Sequence, residues 1–87
     1  MATKTAAPAV KKAAKLLGGQ AALARALGIF PVNVANWITK DASRHRPVPP
    51  AKCVAIEALT GVSRRDLRPN DWWLIWPELE RRKDARD

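Results

Sequence analysis

Residues 20–37 read QAALARALGIFPVNVANW, and this stretch decides the fold. Leu23, Ala24 and Leu27 fall at helical spacing on one face. Gly28 then stops that helix, because glycine takes a left-handed backbone cheaply. Pro31 opens a second helix, where its missing N–H would be unpaired anyway. Val34, Trp37 and Ile38 give that helix its apolar face. Two short helices joined by a turn of three or four residues form a helix-turn-helix, whose second helix is shaped for the DNA major groove.

Working outward, 87 residues allow one small domain with a modest core. The net charge of +8 points to a polyanionic partner. The excess is uneven: residues 1–46 hold eight Lys or Arg against Asp41 alone, whereas residues 47–87 hold eight against seven acids. The basic half coincides with the helix-turn-helix. Cys53 is the only cysteine, so an internal disulfide is excluded and a buried core role is expected. No apolar run approaches the ~20 residues of a membrane span, and MATKTAAPAVKKAAK lacks the apolar stretch of a secretory signal. A cytoplasmic location is expected.

Along the chain, residues 1–7 read as a disordered basic arm. A first helix is predicted from Pro8 to Leu17, with Val10, Ala13, Ala14 and Leu17 inward and Lys11, Lys12 and Lys15 mostly outward. The second is predicted over Gln20 to Leu27 and the third over Pro31 to Thr39. Phe30 cannot cap the third helix. It reads as a plug between the two helices or as a wedge near the DNA. Residues 41–50, DASRHRPVPP, form a loop, since three prolines there forbid an ordinary helix. A fourth helix runs from Pro49 or Pro50 to Leu59 or Thr60, with Cys53, Ile56 and Leu59 inward and Val54 and Ala55 filling beside them. A short fifth begins at Ser63, which pairs with Asp66 in the manner of a capping box, and closes at Pro69. Residues 8–69 make the helix-turn-helix domain. Residues 70–80, NDWWLIWPELE, place Trp72, Trp73 and Trp76 in a lid over the helices or in a subunit contact. Residues 81–87 read as a solvated tail.

The N-terminal end of the third helix is expected to supply base contacts. Val32, Asn33 and Asn36 lie toward the face opposite Val34 and Trp37. Asn33 or Asn36 fits adenine N6 and N7, and Val32 fits a thymine methyl. Gln20 lies where side chain and free backbone N–H groups hold a phosphate. Lys40, Arg44 and Arg46 fit phosphate contacts. His45, between two arginines, lacks a metal-ligand partner and fits a phosphate or minor-groove contact. No nucleophile–base set, no HExxH and no phosphate-cradling glycine loop is present. The acids needed for a magnesium nuclease are missing from the basic half. No enzyme activity, cofactor, metal or small-molecule substrate is expected.

Three stretches resemble the small Cro-like phage and prophage repressors, and within them the YdaS-type branch of antitoxins and transcriptional regulators. They are GGQAALARALGI, VNVANW and RPVPPAKCVAIEALTGVSRRDLRP, spread over roughly residues 10–70. The third is the most specific, with Cys-x-x-Ile-Glu-x-x-Thr-Gly followed by Arg-x-Asp-Leu-Arg-Pro. Gln20, Ala24, Gly28, Val34 and Trp37 match the common helix-turn-helix pattern. The resemblance implies an all-α, compact five-helix lambda-repressor-like domain. It implies a homodimer that binds near-palindromic double-stranded operator DNA, with base contact by Val32, Asn33 and Asn36 and phosphate contact by Gln20. The alternative it leaves is a toxin–antitoxin partner that also binds its own promoter. Phe30 and Pro31 depart from the family, where Ser and a polar residue are usual, so the operator sequence does not carry over.

Overall fold

The computed structural model describes residues 5–79. Residues 1–4, most of the expected arm, and residues 80–87, including the whole expected tail, lie outside the described residues. Among the described residues the elements are all helical: α1 Ala7–Leu17, α2 Gln20–Leu27, α3 Pro31–Ile38, α4 Pro50–Thr60, α5 Arg64–Leu67 and α6 Trp72–Ile75. The first five follow the expected order with ends shifted by about one residue. The sixth is an addition to the five expected, a single turn closed by Trp76 N–H donating to Trp72 O at 2.8 Å.

The helices begin and end for local reasons. Prolines sit in the first turns of α1, α3 and α4, where no N–H is lost. Gly28 adopts φ 70°, Ile29 N–H returns to Ala24 O at 3.0 Å, and Gly28 N–H returns to Arg25 O at 3.2 Å. This left-handed C-cap turns the chain through 118° between α2 and α3. Ser63 caps α5 by accepting from Arg65 N–H at 3.1 Å. The neighbouring Arg64 N–H goes to Glu57 Oε2 of α4 at 3.2 Å. The cap thus draws on Ser63 and α4, and Asp66, expected in it, is exposed.

One core joins these elements. α1 packs against α2, α3, α4 and α5, and α2 packs against α3 and α4. Val10, Leu23, Val34, Val48, Cys53, Ile56 and Leu67 are fully buried, with Trp37 nearly so. Val48 anchors the proline-rich segment inside this core although that segment reads as a plain loop. Ala6, assigned to the arm, is buried as well. Two inward assignments on α4 are corrected. Leu59 is 50% exposed and Val54 43% exposed. Steps of three residues turn only 300° on a helix, so a row spaced by threes drifts around the surface and Leu59 leaves the core face.

Candidate nucleic-acid interface

The second helix of the α2–α3 pair divides cleanly. Val34 and Trp37 are buried, while Val32 and Asn33 are exposed and Asn36 is half-buried. The apolar side is fixed against α1 and α2, so the polar side must face out. Gln20 is exposed at the first position of α2, behind Gly19, which has no side chain to cap the free N–H groups there. Phe30 overturns the expected plug: it is 76% exposed at the N-cap of α3. The adjacent Ile29 packs against the core with Leu27 and Val34, whereas Phe30 does not.

The basic residues after α3 are held by an ordered turn. Asp41 Oδ1 accepts from Ser43 N–H at 3.0 Å and from Ser43 Oγ–H at 2.7 Å. These Ser43 bonds hold the Asp41 carboxyl below its ordinary range. The single acid of residues 1–46 is therefore engaged in building the turn. Asp41 O also accepts from Arg44 and His45 N–H, at 3.0 and 2.9 Å. His45 Nδ1 lies 3.3 Å from Thr39 O, which folds the ring back toward the end of α3. Arg46 N–H donates to Asn36 O at 3.0 Å, fixing the second half of the loop along α3. Lys40, Arg44 and Arg46 are exposed.

Two clefts gather these residues. Asn33, Trp37, Arg46, Pro47 and Lys52 line one of about 440 Å³. Lys11, Thr39, Lys40 and His45 line another of about 430 Å³. Asn33 and Arg46 are thus brought together, while Lys40 belongs to a different hollow beside α1. Lys11 and Lys52 are cations that the sequence reading left out of the site. Lys52 Nζ also reaches Leu27 O at 3.4 Å, at the end of α2. Only the packing of α1 and α4 on the helix pair places them here, and no local pattern announces it.

Residues around the C-terminal tryptophans lie elsewhere. Trp76 is buried, with the Arg64 guanidinium 5.3 Å from its ring. Trp72 is half-buried beneath Arg65, at 4.6 Å. Trp73 and Leu74 point outward, 40% and 74% exposed. Among the described residues, no group of three or more His, Cys, Asp or Glu could hold a metal ion, and no single helix is long and apolar enough to cross a membrane.

The family described as bacterial toxin YdaS matches residues 10–75. A protein of Escherichia coli (strain K12) named "Putative transcriptional regulator YdaS" is 42% identical over 65 residues, 71% of this chain and 62% of that protein. The chain therefore matches less than two thirds of that relative's length. No solved structure gives a significant match.

Proposed function

The chain belongs to the YdaS family, and from that premise we propose that it is a sequence-specific double-stranded DNA-binding transcriptional regulator, a Cro-like repressor of phage or prophage origin. One observation carries the reading. α3 stands at 118° to α2 across a three-residue turn and presents Val32 and Asn33 outward from a buried Val34–Trp37 side. That crossing lies within the range of a helix-turn-helix. In this reading residues 8–69 are a lambda-repressor-like domain and α3 lies in the major groove. Val32, Asn33 and Asn36 contact bases. Gln20, Lys40, Arg44 and Arg46 contact phosphates. Repression follows from occupying a promoter and excluding polymerase, which needs no chemistry, and the site of action is the cytoplasm.

One domain of this size reads few base pairs, so the working form is a homodimer on a near-palindrome. Trp73 and Leu74 are the surface proposed for the subunit contact. The same outward pair also favours a second reading, a protein-binding member of a toxin–antitoxin pair that binds its own promoter. Selection from a random duplex library followed by footprinting tests the first. The expected result is a near-palindrome with half-sites about one helical turn, ~34 Å, apart. No enriched sequence at moderate salt refutes it.

A further inference from the structure

Phe30 and Val32 flank Pro31 at the leading end of α3, 76% and 61% exposed. Neither packs on the core, whereas the adjacent Ile29 does. Phe30 fills the N-cap with φ −76° and ψ 144° and makes no side-chain cap bond. That position favours Ser, Thr, Asp or Asn, whose oxygen accepts a free N–H. A phenylalanine there forgoes the cap and also leaves its ring in water. Two local preferences fail at one residue, and such failures collect at functional sites.

The surroundings say what the apolar tip meets. Arg25, Lys40, Arg44 and Arg46 are exposed on the α2–α3 pair and the loop after it, and Asp41, the single acid of residues 1–46, is held within its own turn by Ser43. Such a basic frame fits phosphate rows, which an apolar protein partner does not offer. Within the major groove, the feature an apolar side chain recognises is the thymine C5-methyl group. Proline between the two residues stiffens the tip and adds no polar N–H.

We propose that Phe30, with Val32, determines operator specificity by packing against thymine methyl groups. The proposal rests on the DNA-binding function above and names what that surface reads. The test starts from the operator found by selection, with each thymine replaced in turn by deoxyuridine, which removes only the methyl group. The unmodified chain is expected to bind about fourfold more weakly for each contacted methyl lost, the transfer free energy of one methyl written as a binding ratio. Phe30→Ser supplies a good N-cap, so it is expected to melt at or above the temperature of the parent chain. It should bind the thymine and deoxyuridine duplexes equally at the positions that Phe30 reads. An enriched operator whose deoxyuridine forms all bind as tightly as the parent overturns the proposal while leaving the regulator intact. Loss of self-association in Phe30→Ser without any methyl effect also overturns it, in favour of a subunit contact. Failure to enrich any sequence removes the DNA-reading function and this proposal with it.

Discussion

Arg68 grips Asp71 with two parallel bonds, Nε to Oδ1 at 3.0 Å and Nη2 to Oδ2 at 2.6 Å. Its remaining nitrogen, Nη1, donates to Val48 O at 3.0 Å. One guanidinium therefore ties the turn between α5 and α6 to the segment that precedes α4. The two side chains are 17% and 36% exposed, so solvent screens part of the charge attraction. The fork geometry and the carbonyl bond remain. Arg68→Ala is expected to lower the unfolding free energy by about 1–3 kcal/mol, since Val48 O keeps only the weak Cys53 thiol at 3.7 Å. Arg68→Lys should recover little, because a lysine cannot make the planar fork. Urea melts of the three proteins check this. Equal midpoints would remove the strut.

The helix pair was legible because its signals are local. Gly28 stops α2, Pro31 starts α3, and Val34 with Trp37 sets the buried side within one turn of the same helix. Val48 was not legible, because its carbonyl partners are Cys53 on α4 and Arg68 beyond α5, and no local pattern in the proline-rich segment announces them. Phe30 was legible only as two alternatives, because a large apolar residue is more often buried than not, and it is the N-cap position that leaves it 76% exposed while the adjacent Ile29 packs on the core. The tryptophans could not be assigned to one role from sequence, since their spacing puts Trp72 and Trp76 on the protein side of α6 and Trp73 on the other.

The exposed face of α3 separates two kinds of contact. Asn33→Ala and Asn36→Ala are expected to weaken specific binding by roughly 1–3 kcal/mol and to leave non-specific binding nearly unchanged. Asn36 is the more buried of the two, so Asn33 should show the larger effect. Lys40→Ala and Arg44→Ala should weaken both kinds of binding and each reduce the salt slope by about one. Titrations at several salt concentrations measure both quantities. An unchanged ratio of specific to non-specific affinity in both asparagine variants would move the reading face elsewhere.

Burial pushes the Cys53 thiol up to about 11 from an ordinary 9.0. The folded chain keeps this proton where the unfolded chain has lost it. Its contribution to stability is therefore complete below pH 9 and is lost as pH rises toward 11, by at most roughly 2–3 kcal/mol. Cys53→Ala is the control, since it removes the thiol alone. The parent chain should lose more stability than the variant between pH 8 and pH 10.5. Parallel losses would show that Cys53 contributes nothing to the alkaline limb. A thiol reagent at pH 8 should likewise react with the native chain far more slowly than with the urea-unfolded one.

The tryptophans at the end of the described chain should separate into two classes of effect. Trp76 is 7% exposed, and Arg64 stacks over its ring while pairing with Glu57 Oε1 at 2.8 Å. Removing that buried ring leaves a cavity in the core and takes away the face on which Arg64 of α5 lies. Trp76→Ala is expected to cost about 3–5 kcal/mol, much of the total for a domain of this size. Leu74 is 74% exposed, and Trp73 is 40% exposed with its ring edge-to-face with Trp72 at 5.8 Å, so each is less buried than Trp76. Trp73→Ala with Leu74→Ala should lower the melting temperature less than Trp76→Ala does. If this pair makes the subunit contact, the double variant should sediment as a monomer at concentrations where the parent is a dimer. It should then bind a full operator no better than a half-site. A double variant that stays dimeric and keeps its operator affinity places the subunit contact on another surface. A Trp76→Ala chain that melts with the parent would show that the α6 segment lies on the domain without stabilising it.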